Sequence, residues 1–357
     1  MAETSAASDV RSEGEFEFIQ PENPFAGMCI DDTTFLQDVE GRSSCTRCGK
    51  SRKFFCYHCY VPVAELEQKL PFVKLPIKID VIKHKNEIDG KSTAIHAAIL
   101  APEEVKVYTY PNIPDYRLED DVVLIFPTPT AVTVASLFSG SCPKVKDNYG
   151  LPKGHHIGTL LKCRLNEIVA DPNETKVEDR STGQMTHRYP VRKAVFIDST
   201  WSQCRGIYKD ERVACLQTVV IQNRISQFWR HQKNSPRWFL ATVEAMHQFL
   251  IELHITAFGL DSRYRGLEHL GYLNFPSEKV VDSERGCKEK ETGPYNGQYD
   301  NILFFFLHMY NLIHEYYEHH TLRAYRRPLF LEDKYRKQLL EEKQKEEEQP
   351  KNSNVLS

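Results

Sequence analysis

The sequence predicts an α/β fold with a mostly parallel sheet and flanking helices, and three observations lead there. Short apolar runs, Val122-Val123-Leu124-Ile125-Phe126 and Ala194-Val195-Phe196-Ile197, read as strands buried on both faces. Ile77 to Ile82 alternates apolar and polar residues, as a half-buried strand does. Between and after these lie segments of helical periodicity, and strands alternating with helices favour a parallel sheet.

In chain order, residues 1–42 hold few large apolar side chains and are expected to be disordered. Residues 43–66 are dense in Cys and aromatics and form a small module ahead of the main domain, 67–330. Within that domain an extended, Pro-punctuated stretch runs from Leu70 to Pro76 before the first strand. Thr93 to Leu100 is expected to be helical, and a strand is expected over Thr218 to Ile221. Phe239 to Phe258 repeats apolar residues every three or four positions and predicts a long helix on the sheet. Asn301 to Tyr325 predicts a closing helix. Residues 141–190 and 261–300 are polar and Gly-bearing and read as insertions, the first with a short helical piece near Leu160 to Val169. Residues 331–357 form a charged Glu/Lys/Gln tail.

Charge is unevenly spread. A net of −9 over 1–40 and −1 over 331–357, against −3 for the whole chain, leaves +7 on 41–330, which is compatible with a polyanionic partner. No stretch approaches the roughly 18 uninterrupted apolar residues of a membrane span. The N-terminus lacks the order of a signal peptide, so an intracellular, reducing location is expected, where ten cysteines serve metal sites, cores or chemistry rather than disulfides. On the same expectation Asn173-Glu174-Thr175 is a chance sequon.

Cys45-Thr-Arg-Cys48 and Cys56-Tyr-His-Cys59 are two C-x-x-C pairs separated by seven residues. Each turn can offer two thiolates to one ion, and two turns close a tetrahedron with no open position, as in a structural zinc site. Four ordinary buried cysteines, or a redox pair, are the bland alternatives. Arg47, Lys50, Arg52 and Lys53 make the module basic, which suits RNA contact or simple solvation.

Asp198-Ser199-Thr200-Trp201 directly follows the strand Ala194 to Ile197. In open α/β sheets, ligands bind where loops leave the carboxyl ends of strands. A carboxylate there can accept a proton or orient an amine, and Trp201 can stack on a planar base. The competing reading is an Asx-type turn that caps the next helix, with Trp201 in the core. Two other strand exits have a similar design. His84-Lys-Asn-Glu87 leads into Lys91-Ser-Thr93, and Phe126-Pro127-Thr-Pro ends the next strand, while Thr242-Val-Glu244-Ala lies near the start of the long helix. Together they describe one pocket. Arg224, Arg230, His231, Lys233 and Arg237, interleaved with Phe228, Trp229 and Trp238, form the densest basic-aromatic stretch. It reads either as an RNA-gripping surface or as a solvated loop beside core aromatics.

With these residues in view, the chain resembles the DTW-domain proteins of the TDD superfamily, the tRNA-uridine aminocarboxypropyltransferases, over about Cys45 to Tyr325. The family motif Asp-x-Thr-Trp is matched by Asp198, Thr200 and Trp201, with Ser199 at the variable position. Cys56-Tyr-His-Cys-Tyr-Val-Pro62, Lys91-Ser-Thr-Ala-Ile-His96 and Phe228-Trp-Arg-His-Gln-Lys233 are closest to its vertebrate branch. The resemblance implies a SPOUT-like, knotted α/β fold. It also implies transfer of the 3-amino-3-carboxypropyl group of S-adenosyl-L-methionine to N3 of a tRNA uridine, releasing methylthioadenosine. Under it, Asp198, Thr200 and Trp201 are the catalytic candidates, with Asp198 as base towards N3 or as anchor for the cofactor's ammonium. His84, Glu87, Thr93, Phe126, Pro127, Thr242 and Glu244 are the cofactor-binding candidates. Arg224, Arg230, Lys233 and Arg237 are the RNA-binding candidates, and Cys45, Cys48, Cys56 and Cys59 the zinc ligands.

The expected partner is tRNA, with no membrane and no stable protein partner. The Lys- and Arg-bearing tail leans towards the nucleus rather than the cytoplasm. The rivals are a SPOUT-like RNA methyltransferase and a non-catalytic zinc-containing RNA-binding protein. Absence of G-x-G-x-x-G and Walker loops argues against dinucleotide and P-loop enzymes. His314 to His319 has its second His one place too late for a zinc protease.

Overall fold

A computed structural model describes residues 23–138, 189–201, 203–232, 235–270 and 293–327, with the backbone of three short strands besides. Six strands form one sheet: β1 (Lys78–Lys83), β2 (Val105–Thr109), β3 (Val122–Ile125), β4 (Val132–Thr133), β5 (Lys193–Asp198) and β6 (Gln217–Val220). Their spatial order is β2-β1-β5-β3-β6-β4, and every pairing is parallel. All six therefore point their carboxyl ends at one edge. Neither β2 nor β4 is among the strands expected from the sequence, although Val105-Lys-Val-Tyr-Thr109 has the alternation of a half-buried strand; β4 is only two residues long.

The period-two alternation sorts side chains between two cores. Ile79 and Val81 of β1 and Ala194 and Phe196 of β5 face α1 (Ala94–Leu100), α4 (Thr242–Phe258) and α5 (Phe304–Tyr316). Ile82, Leu124 and Val195 face the other way, onto α2 (Cys204–Tyr208) and α3 (Glu211–Ala214). Helices on both faces explain why β3 and β5 read as continuous apolar runs.

The long helix begins at Thr242 rather than Phe239, and the closing helix covers only Phe304–Tyr316 of the stretch expected to be helical. A 3₁₀ turn, Asp300–Leu303, leads into it. Residues 23–42, expected to be disordered, contribute to the core: Phe25 packs edge-on against Tyr310, and Leu36 is fully buried. Their apolar residues are few, but Phe25 and Leu36 are buried and Met28, Ile30, Phe35 and Val39 pack partly exposed against the same core. Residues 1–22, the helical piece near Leu160 and the tail beyond Arg327 lie outside the described residues.

The second insertion is threaded into the fold. Leu260–Asp261 pairs in parallel with Val280–Val281, and the buried Asp300 carboxylate accepts from Tyr264 Oη (2.6 Å), Tyr295 Oη (2.7 Å) and the Cys29 amide (2.7 Å). His247 Nε2 lies 2.9 Å from the same carboxylate. Of the first insertion, a two-residue antiparallel pairing, Val177–Glu178 with Met185–Thr186, is described.

Candidate active site and cysteine module

The exits of β1, β5, β3 and β6 converge on a cavity of about 890 Å³. Glu87, Lys91, Ser92 and Thr93 line it from the β1 exit, Phe126 and Pro127 from β3, and Asp198 to Trp201 from β5. The β6 exit adds Gln222 and Asn223, and the start of α4 adds Thr242. The pocket expected from three strand exits is thus assembled from four, because the parallel sheet brings them to the same edge.

Asp198 ends β5, paired with Lys83 at the end of β1. Its side chain is buried, and each carboxylate oxygen accepts one hydroxyl: Ser92 Oγ on Oδ2 and Thr242 Oγ1 on Oδ1, both at 2.6 Å. One carboxylate therefore ties the β1 exit to the first turn of α4. Burial raises the Asp198 pKa above its ordinary value; the hydroxyls of Ser92 and Thr242 and the Lys83 charge oppose the rise without cancelling it. In the sequence Ser92 is one residue of a polar segment; its contact with Asp198 joins residues 106 positions apart, which local sequence does not reveal.

Thr200 serves both readings of the tetrapeptide. Its carbonyl accepts from the Gln203 and Cys204 amides, so it does open α2, yet Thr200 also lines the cavity. Trp201 is half-buried between Phe239 (ring centroids 4.4 Å) and Phe126 (6.1 Å), and with Trp238 these rings make one wall aromatic. The Trp238 indole Nε1 is buried with no hydrogen-bond partner among the described residues. A wall of this kind suits a planar base.

Opposite it, burial together with the Asp198 charge raises the Glu87 pKa, against Lys83, Lys91 and Arg230. Thr93 Oγ1 accepts the Val243 amide, an orphan N–H of the first turn of α4. His84 lies beside the cavity rather than in its wall, with Nδ1 accepting from the Asn86 amide. Glu244 does not line the cavity either. Its carboxylate accepts from Ser226 Oγ (2.7 Å) and from the Gln227 and Ala241 amides (both 2.8 Å), so it caps α4 and pins the loop after β6.

The expected basic-aromatic surface needs correction. Arg224 is 1% exposed and donates to the Glu244 carbonyl; Arg237 is buried over the Tyr325 ring. Phe228 and Trp229 pack with Phe306 in the core. A buried guanidinium cannot meet a phosphate, and the sequence pattern of an internal arginine is the same as that of a surface one. Arg230 is partly exposed, donates to the Lys91 carbonyl at 3.0 Å, and stays near the cavity; Lys233 lies outside the described residues.

The cysteine module is two matching knuckles. The Gly49 amide donates to the Cys45 carbonyl and the Tyr60 amide to the Cys56 carbonyl, and both Gly49 (φ +67°) and Tyr60 (φ +55°) are left-handed. Glycine tolerates this conformation freely; a tyrosine there signals a turn held from outside. The four Sγ atoms lie within 4.8 Å of one another, and Cys48 and Cys56 are 3.6 Å apart. Tetrahedral zinc with bonds of about 2.3 Å needs sulfurs about 3.8 Å apart, so the donor set fits. Burial pushes the Cys56 thiol up, but the His58 amide and Arg52 outweigh it and bring it to about 6. The module is packed into the main domain, with Phe55 against Phe305 (4.7 Å) and Phe54 against His308 (5.1 Å).

Comparison with known proteins identifies the family. A family model for the DTW domain matches residues 53–314. The chain is 37% identical over 300 residues to the mouse protein named tRNA-uridine aminocarboxypropyltransferase 1, covering 83% of this chain and 85% of that one. It is 38% identical over 301 residues to the human protein of the same name, with the same coverage. The Xenopus tropicalis counterpart is 36% identical over 285 residues, 78% of this chain and 82% of its own. No solved structure matches. No described helix is long and apolar enough to cross a membrane. With the model spanning most of the chain and the strand-exit cavity built around Asp198, Thr200 and Trp201, this chain belongs to the DTW-domain family.

Proposed function

We propose that this chain forms 3-(3-amino-3-carboxypropyl)uridine in tRNA, transferring the group from S-adenosyl-L-methionine to N3 of a uridine and releasing methylthioadenosine. The observation that carries the reading is Asp198: a buried carboxylate of raised pKa, oriented by two hydroxyls, in a cavity with one aromatic wall at the strand exits. The printed names of relatives at 36–38% identity support the substrate and the group transferred.

The cavity fits a nucleoside joined to an amino acid. Phe126, Trp201, Trp238 and Phe239 supply apolar faces, and Glu87 with the 91–93 segment supplies a polar end. When bound, S-adenosylmethionine supplies a γ-methylene activated by its sulfonium, so that a C–N bond to N3 forms as the C–S bond breaks. The chain's own work is alignment and deprotonation. Asp198 takes the N3 proton, and its raised pKa makes it a stronger base than an exposed aspartate. Ser92 and Thr242 hold its carboxylate in one orientation. Trp201 walls the pocket, and Thr200 fixes the turn that presents Asp198. Glu87 is placed to meet the ammonium of the amino acid end, with His84 beside it. If Asp198 instead anchors that ammonium, Asp198→Asn weakens S-adenosylmethionine binding and leaves the pH dependence of turnover unchanged.

Other parts of the reading rest on less. A structural zinc ion on Cys45, Cys48, Cys56 and Cys59 is supported by their spacing. A knotted, SPOUT-like topology is supported by membership of the DTW-domain family; the all-parallel sheet fits it as it fits other open α/β folds. Nuclear residence rests on the basic residues of the tail, and a fluorescent fusion lacking 331–357 tests it. The function itself is tested by nucleoside analysis of tRNA from cells lacking the protein: the aminocarboxypropyl uridine disappears and returns with the wild-type gene but not with Asp198→Asn. Its persistence in those cells rejects the reading.

A further inference from the structure

With Arg224 and Arg237 internal, two of the expected contacts to the tRNA backbone are lost, and the charge distribution points to the cysteine module for others. Residues 41–60 contain Arg42, Arg47, Lys50, Arg52 and Lys53 and no Asp or Glu. Arg52 is buried under the Tyr57 ring, its guanidinium 3.9 Å from the centroid, while the other four are exposed. A zinc ion on four thiolates carries a formal charge of roughly −2, which four exposed cations exceed.

The module also has a definite side towards the cavity. Arg47 Nη1 reaches the Cys59 carbonyl at 3.4 Å, so it bridges the two knuckles, and the Lys50 carbonyl accepts the Cys45 amide at 2.9 Å, which holds Lys50 on the first knuckle. His58 Nδ1 in turn lies 2.9 Å from Asp89 Oδ2, and a Cβ placed on Gly90 would touch the Tyr57 ring at 3.8 Å. Asp89 and Gly90 run directly into Lys91, Ser92 and Thr93 of the cavity wall, where Arg230 is bonded to the Lys91 carbonyl. Lys53 stands apart from this side, over Phe54, which packs on His308 of α5.

We propose that Arg47 and Lys50 grip the sugar–phosphate backbone of the tRNA whose uridine enters the cavity, with Lys91 and Arg230 continuing that contact to the cavity mouth. The proposal rests on the tRNA reading above and adds the surface that carries it. Backbone contacts of this sort position the RNA and carry no sequence information, so the uridine is selected in the cavity.

The test compares the full-length wild-type chain with Arg47→Gln/Lys50→Gln, and with Lys78→Gln/Lys106→Gln as a charge-matched control at the opposite edge of the sheet. Binding of a uridine-containing tRNA transcript is measured across a salt series, alongside zinc content and calorimetric binding of S-adenosylmethionine. The expected result is about tenfold weaker tRNA binding at low salt for the module variant, with a salt slope reduced by about 0.7–0.9 for each lost contact. The control keeps the wild-type values, and zinc content and cofactor binding stay unchanged in both. A module variant that binds tRNA like the wild type overturns the proposal alone. Equal weakening in module variant and control does the same, since it reports bulk charge. A wild-type chain that does not bind tRNA overturns the proposal and the reading beneath it together.

Discussion

Asp198 sits where an ion is least comfortable, and that discomfort predicts behaviour. Its folded-state pKa is raised, so its protonated form is favoured by folding. The stability it contributes is therefore fully present below the unfolded carboxylate pKa and is lost as pH rises through the folded value. Asp198→Asn removes that loss, and the amide can still meet the hydroxyls of Ser92 and Thr242, each of which donates or accepts. The expected outcome is a melting temperature at neutral pH equal to or above wild type, while turnover falls by about 10²–10⁴ as for loss of a general base. For the wild type, turnover should fall as pH drops through the same raised pKa, and stopped assays across pH check this. Asp198 was legible in the sequence because it ends an apolar strand. The hydroxyls that hold it were not, since Thr242 lies 44 residues away and Ser92 lies 106. Arg224 illustrates the reverse failure: beside aromatics, a core arginine and an RNA-binding arginine look alike.

At the scale of elements, α4 is the beam that carries one side of the site. Its periodicity was visible, but its first turn is fixed by tertiary contacts: Glu244 from within, Thr93 on the Val243 amide, and Asp198 on Thr242. Glu244→Ala strips three hydrogen bonds from buried groups and should cost about 2–4 kcal/mol, read by urea unfolding. Farther along, burial raises the Glu252 pKa to about 7 against its bonds from Gln248 and the Gln222 amide of the cavity wall. Its contribution is present at low pH and lost as pH rises through about 7, so wild type should lose melting temperature between about pH 5 and pH 8 relative to Glu252→Gln. The cysteine knuckles were fully legible from spacing. Their docking through Phe54 and Phe55 was not, because single exposed-looking aromatics carry no periodicity. Metal analysis should return one zinc per chain, and chelation should lower the melting temperature of the whole domain, since the module shares its core. Removal of the metal without a thermal shift would make the module a separate unit.

For the whole molecule, the parallel sheet does the organising. Because every strand runs the same way, four loops from distant parts of the sequence meet at one edge, and the polar segments flagged after separate strands become one cavity. The fold class followed from the apolar runs, which need helices on both faces. The edge strands and the threading of 23–42 and 261–300 into the core did not, since each depends on a few residues filling space created by other elements. The cysteine module meets the loop that leads into the cavity wall through His58 on Asp89 and Tyr57 beside Gly90, which is why the proposed tRNA contact is placed on it.

Which carbon of the sulfonium co-substrate is attacked separates the two possible transfers, and a single turnover decides it. Purified full-length protein, S-adenosyl-L-methionine and a uridine-containing tRNA are mixed, quenched and analysed by mass spectrometry. Aminocarboxypropyl transfer yields methylthioadenosine in equal amount to a uridine bearing the aminocarboxypropyl group. S-adenosylhomocysteine together with a methylated nucleoside would contradict it and make the chain an RNA methyltransferase.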